Sequence, residues 1–172
     1  EDPRADTPGL GLVLWIKAAY GDKAADVWKA MWPHVVTMAP DWSAAYSLFL
    51  KGEADMVLTY TTSPAYHIVA ENDANYATAA FKEGHYMQIE VAGVLKSSPH
   101  KALAQQFLSW MVTPEAQAII PGTNWMYPVV KLPEPPAGFD TLIVPDKALL
   151  LPDDEVTAKS DAWISEALDA QH

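Results

Sequence analysis

The run Tyr60-Thr61-Thr62-Ser63-Pro64-Ala65-Tyr66-His67 puts two phenols, three hydroxyls and an imidazole into a short stretch. Phenol faces and hydroxyl donors in such density suit a small, polar, flat ligand. Rings attract a cation electrostatically, and hydroxyls fix its orientation. Trp42-Ser43 and Asn124-Trp125-Met126-Tyr127-Pro128 are further places where aromatics stand beside Ser, Asn, Asp or Pro. On the residues alone, Trp42, Tyr60, Tyr66 and Trp125 fit either ligand contact or the packing of an aromatic-rich core. Ser63 followed by Pro64 reads as a helix N-cap, with proline in the first turn. The sequence contains no Gly-x-Ser-x-Gly elbow, so a nucleophilic role for Ser63 has no support.

Other reactive patterns are sparse. The chain has no cysteine. That removes a disulfide framework, a thiolate zinc site and a thiol nucleophile from these 172 residues. The histidines at 34, 67, 85, 100 and 172 lack metal-ligand spacing, so no metal site is expected. Glu53 and Asp55 read as a solvated turn rather than an acid pair. The formal charge of −11 opposes nucleic acid and anionic membranes as partners.

The elements that must hold these residues read as alternating helices and strands, an α/β class. Thr7-Pro8-Gly9 opens a buried helix carrying Leu10, Leu12, Val13, Leu14 and Ile16 and closing at Gly21 in the left-handed region. A helix from Asp22 to about Trp32 is closed by Pro33, and another opens at Trp42 and ends at Lys51-Gly52. Strands are predicted at Val35–Ala39, Asp55–Tyr60, Tyr76–Phe81 and Met87–Leu95, with Tyr60 at a carboxyl end where open α/β sheets bind ligands. Helices are predicted at Ser63–Glu71, at Pro99–Val112 with an apolar stripe of Leu103, Phe107, Trp110 and Met111, from Thr113 to about Ile120, and at Val156–Ala170. Residues 121–124 and 131–153 read as loops.

The order of these parts carries a resemblance. Lys51-Gly52-Glu53-Ala54-Asp55, then Ser97-Ser98-Pro99-His100-Lys101-Ala102-Leu103-Ala104, then Thr113-Pro114-Glu115-Ala116-Gln117 resemble the type II periplasmic solute-binding proteins of ABC importers. Asp2-Pro3-Arg4, Thr7-Pro8-Gly9-Leu10-Gly11, Trp42-Ser43, Tyr60 to His67, Gly84-His85-Tyr86 and Asn124 to Pro128 resemble the thiamine-binding branch of that superfamily. The resemblance implies one lobe of a two-lobed protein, plus the part of the chain that crosses the hinge into the other. Residues 1–85 would form a second-lobe segment. Residues 86–122 would cross the hinge and complete the first lobe, and residues 123–172 would return to the second. It also implies an N-terminal lobe lying outside this sequence. The opening Glu1-Asp2-Pro3-Arg4, without a Met, reads as a processed or excised start.

By the same resemblance the expected function is a periplasmic substrate-binding subunit of a thiamine importer. It would bind thiamine or its phosphate esters between two lobes and present them to a membrane permease, without a resident cofactor and without catalysis. Its ligand contacts would be Trp42, Tyr60, Tyr66 and Trp125, with Asp6, Thr7, Ser43 and Ser63 supplying polar groups. The free N–H groups where the helix at Thr7 begins make a natural anion site. Where thiamine-binding relatives carry a serine for the ligand's phosphate, this chain carries Asp6. That residue can cap the helix and repels phosphate, which implies a preference for unphosphorylated thiamine. A thiaminase-like enzyme of the same fold, with its nucleophile in the other lobe, is the alternative. A ferric-ion binder is another, although Tyr60 and Tyr66 are not an adjacent tyrosine pair.

Overall fold

A computed structural model describes residues 1–171. The chain divides into two compact units, residues 1–59, 80–88 and 145–171 in the first and residues 60–79 and 89–144 in the second.

The first unit is built on α1 (Thr7–Tyr20), α2 (Ala24–Met31) and α8 (Asp153–Asp169). Pro8 sits in the first turn of α1, and the N–H of Gly21 donates back to Lys17 O. Gly21 has the expected positive φ of 55°, but its ψ of −121° lies outside the left-handed helical basin. Val13, Leu14 and Ile16 of α1 meet Ala24 and Trp28 of α2 and Trp163 and Ala167 of α8 in one buried cluster. Apolar burial of this kind is the main stabilising term. Polar ties fix the helix register. Trp32 Nε1 donates to Ala167 O at 2.6 Å, and Lys17 Nζ lies 3.5 Å from Glu166 Oε1. Asp153, Asp154 and Glu155 open α8, where the helix dipole favours negative charge.

The sheet of this unit is a short parallel pair, β1 (His85–Tyr86) on β2 (Ala148–Leu149). Gly84 leads into it with a φ of 104°, and a Cβ there would lie 2.7 Å from Lys147 O. Gly84→Ala is therefore expected to destabilise this unit by about 2–3 kcal/mol through strain and backbone displacement. Scanning calorimetry checks this, and an unchanged Tm would show that the pair stands outside the cooperative core.

A further helix of this unit, α3 (Trp42–Leu50), is capped by Asp41, whose Oδ1 accepts the N–H of Ala44 at 2.9 Å. The second unit contains α4 (Ser63–Ala70), α5 (Lys101–Met111), α6 (Pro114–Gln117) and α7 (Ile120–Thr123). Its buried cluster is Ala65, Phe139 and Leu142, with Trp125 packed against it. Gln117 bridges two stretches of chain, donating from Nε2 to Met111 O at 2.7 Å and accepting the N–H of Val129 at 2.8 Å.

Several expectations need correction. Val35–Ala39, Asp55–Tyr60, Tyr76–Phe81 and Met87–Leu95 form no strands among the described residues. A strand exists only through a hydrogen-bonded neighbour, and alternation in the sequence marks only the readiness to pair. Val91 is 88 % exposed and Leu95 74 %, so nothing described covers this apolar stretch. Residues 120–123 make a helical turn, not a loop. The helix predicted over 99–112 is present as α5, but its stripe is not inward. Leu103 and Phe107 are 65 % and 55 % exposed. The N-cap of α4 is Thr62, not Ser63, and its side chain makes no capping bond. Because Tyr60 ends no strand, it instead begins the turn into α4, its carbonyl accepting the N–H of Ser63 at 3.0 Å.

Candidate functional site

The second unit holds Tyr60, Ser63, Tyr66 and Trp125. Its central feature is the meeting of Tyr66 and Trp125. Their ring centroids lie 5.4 Å apart and their planes cross at 79°. Both rings are half-buried. The edge-to-face geometry is a favourable aromatic pairing, and it leaves a two-walled corner of indole and phenol. Tyr66 is carried by α4, whose buried face of Ser63, Pro64, Ala65 and His67 fixes the helix in the unit. Trp125 follows α7 and has a φ of 54°. For a bulky side chain that left-handed backbone is strained. The loop is held by Thr62 Oγ1 against Met126 Sδ at 3.8 Å and by Asn124 Nδ2, which donates to Glu90 Oε2 at 3.1 Å.

Beneath Tyr66 lies a polar network. His67 is fully buried, stacked on Tyr76 with centroids 3.7 Å apart and planes 20° apart. Its Nδ1 lies 2.6 Å from Glu71 Oε2. Interaction with the neighbouring Glu71 carboxylate pushes the Tyr66 phenol above its usual value. The Glu71 carboxyl is held below its usual range, chiefly by the hydrogen bond to His67.

The first unit holds Asp6, Thr7, Trp42 and Ser43. Trp42 stacks on Tyr46 with centroids 4.7 Å apart and planes 23° apart, and its Nε1 donates to Thr59 Oγ1 at 3.1 Å. Ser43 is exposed, and its carbonyl accepts the Ser47 hydroxyl at 2.8 Å. Thr7 is the exposed first residue of α1. Asp6 takes the N-cap position with extended dihedrals, but its side chain makes no capping bond. It turns to another carboxyl instead. Asp6 Oδ2 and both oxygens of Glu1 are buried without a donor from another group. Burial first, then the neighbouring Asp6 carboxylate, push the Glu1 carboxyl up to about 7. A proton on Glu1 is the donor that can reach Asp6. The start of α1 is thus an acidic, proton-holding place.

The structure brings together Tyr66 and Trp125 in one unit, and Asp6 and Thr7 at one helix start in the other. Trp42 is paired with Tyr46 and Thr59, neither of which the sequence singled out. Glu71, His67 and Tyr76 were also missed. The signal for the first two was the four-residue spacing of His67 and Glu71 on a helix. A hollow of ≈ 670 Å³ in the first unit, lined by Lys29, Trp32, Val36, Met38 and Gln171 among others, contains none of the candidate residues. Among the described residues no three acidic or imidazole groups gather where they could share a metal ion. His172 lies outside the described residues. No helix of the described residues is long and apolar enough to cross a membrane.

Comparison with known proteins gives the family. Residues 5–118 match the family described as bacterial extracellular solute-binding protein. Over 166 residues the chain is 52 % identical to the thiamine-binding periplasmic protein of Escherichia coli strain K12, covering 96 % of this chain and 50 % of that protein. It is 48 % identical to the thiamine-binding periplasmic protein of Brucella melitensis over 171 residues, 99 % of this chain and 51 % of that protein. A solved structure, described as a periplasmic thiamin binding protein, superposes with a TM-score of 0.94 at 51 % identity, over 99 % of this chain and 54 % of that one. The chain therefore spans about half the length of the curated relatives it matches. At that identity and TM-score the fold is α/β, of the type II periplasmic solute-binding class. The family read from the Gly-Glu-Ala-Asp and Thr-Pro-Glu-Ala-Gln stretches is borne out, and the chain belongs to the bacterial extracellular solute-binding proteins.

Proposed function

We propose that the full-length protein is the periplasmic substrate-binding subunit of a thiamine importer, which captures thiamine and delivers it to a membrane permease without transforming it. The observation that carries this reading is the Tyr66–Trp125 corner, with Trp125 held at a φ of 54°. A strained backbone at a large, half-exposed aromatic points to function, because packing alone does not require the strain. Thiamine combines a cationic thiazolium with a flat aminopyrimidine. Ring faces attract such a cation by about 0.5–2 kcal/mol per good contact. In this reading Trp42, Tyr60, Tyr66 and Trp125 contact the ligand, and Asp6, Thr7, Ser43 and Ser63 supply polar groups. Residues 1–85 and 123–172 are assigned to one lobe of the full-length protein, and residues 86–122 to the crossing into the other. The names of the relatives in Escherichia coli and Brucella melitensis support the choice of ligand.

The test is titration calorimetry of the full-length protein with thiamine, followed by chromatography of the recovered ligand. One equivalent bound and recovered intact is expected. No binding heat would defeat the reading. Cleaved thiamine would replace it with a thiaminase, and a coloured complex on adding ferric ion in place of thiamine would replace it with an iron binder.

A further inference from the structure

We propose that Thr59 is a positioning residue that fixes the indole of Trp42 for ligand contact by accepting its ring N–H. The inference rests on the reading that Trp42 contacts the ligand. Three constraints converge on this ring, all within the first unit. The backbone comes first. Trp42 is the first residue of α3, and the Asp41 cap, with Oδ1 accepting the N–H of Ala44 at 2.9 Å, sets where that helix begins. The ring plane comes second. Tyr46, one turn further along α3, stacks on the indole with centroids 4.7 Å apart and planes 23° apart. Tyr46 is itself buried and is braced by Phe49, whose ring meets it edge-on at 5.8 Å. A stack still lets an indole turn within its own plane. The third constraint removes that freedom, because Trp42 Nε1 donates to Thr59 Oγ1 at 3.1 Å.

The type and place of the acceptor add weight. Trp42 is half-buried. An indole that keeps part of its surface in solvent can give its N–H to water, so burial alone does not demand a protein acceptor here. Thr59 is seventeen residues along the chain, so the bond ties the start of α3 to a separate stretch. Threonine is also a stiff acceptor, because branching at Cβ leaves its χ1 few wells. An indole already held in plane and in rotation loses less freedom when a flat cation settles against it.

The test uses Thr59→Val, Thr59→Ala and Thr59→Ser in the full-length protein with two readouts. The first is calorimetric affinity for thiamine. Loss of the acceptor is expected to weaken binding about fivefold in the valine and alanine variants alike. Serine keeps the hydroxyl, so its binding should stay within about twofold of the parent. The second readout needs no ligand. It is the indole N–H resonance of Trp42 in protein carrying isotope-labelled tryptophan, assigned by its absence from Trp42→Phe. That proton is expected to shift and to exchange faster with water in the valine and alanine variants, and to stay in place in the serine variant. Unchanged affinity in the valine and alanine variants, or an unmoved resonance, would overturn the inference. A loss confined to valine or to alanine would also overturn it, since it would mark a clash or a lost methyl contact. Equal losses in all three variants would overturn it as a general structural role. A parent protein that fails to bind thiamine, while the resonance moves as expected, would defeat the proposed ligand and leave the positioning of the ring supported.

Discussion

Replacing Trp125 with alanine is expected to weaken thiamine binding to the full-length protein by roughly 2–3 kcal/mol, about thirty- to 150-fold, on the proposed reading. The loss combines the cation–π contribution with one wall of the aromatic corner. A phenylalanine at the same place should restore part of it, since it keeps a ring face with a weaker quadrupole. A second comparison separates ligand contact from packing. Trp125 rests on Ala65, Phe139 and Leu142, so any truncation removes some burial. The φ of 54° makes the two smallest residues differ. Glycine adopts that backbone freely, while alanine does not. Trp125→Gly should therefore be more stable than Trp125→Ala by about 1 kcal/mol, although both bind the ligand more weakly than the parent. Chemical denaturation of the two variants measures this difference. If the alanine variant kept full affinity, the indole would be only a lid on the Phe139 cluster.

The helices were legible because their signals are local. Pro8 near the start and Gly21 at the end frame α1, whereas the Asp41 cap of α3 and the acidic first turn that starts α8 at Asp153, ahead of the predicted Val156, come from the structure. The strands were not, because pairing is a property of two segments and the sequence of one shows only half of it. Asp55–Tyr60 has the composition of a buried strand and still enters no sheet among the described residues. The stripe on α5 has the same origin. Leu103 and Phe107 repeat with helical spacing, which announces a face to be covered without saying what covers it. At the candidate site, Tyr66 and Trp125 stand far apart in the chain, and no spacing rule joins them. Only the resemblance did. The left-handed backbone of Trp125 was illegible because tryptophan is among the residues least expected there. Glu71 escaped because a His–Glu pair four apart is usually a solvated surface pair, and only the burial of His67 makes this one different.

Thiamine monophosphate is expected to bind more weakly than thiamine to the parent protein, and Asp6→Ser to reverse that order. The N–H groups at the start of α1 would ordinarily welcome a phosphate. Two carboxyls occupy that place. Asp6 Oδ2 and the oxygens of Glu1 are buried together, and Glu1 is raised to about 7, by burial first and by Asp6 among the other causes. A phosphate arriving there meets negative charge at close range before it reaches any donor. Serine removes one charge and offers a hydroxyl, so the affinity for the monophosphate relative to thiamine should rise roughly ten- to a hundredfold. The same acidic pair has a stability signature in this chain. Between the ordinary glutamate value of 4.5 and about 7, the folded state holds a proton on Glu1 that the unfolded chain has released. Stability must then fall as pH rises through that window. Asp6→Ser removes a like charge but not the burial, so the slope should shrink without vanishing. Calorimetry with both ligands, and denaturation at pH 5 and pH 8, test the two halves separately. Tighter binding of the monophosphate to the parent protein would mean that the helix dipole outweighs the carboxylates, and Asp6 would then be no barrier to phosphate.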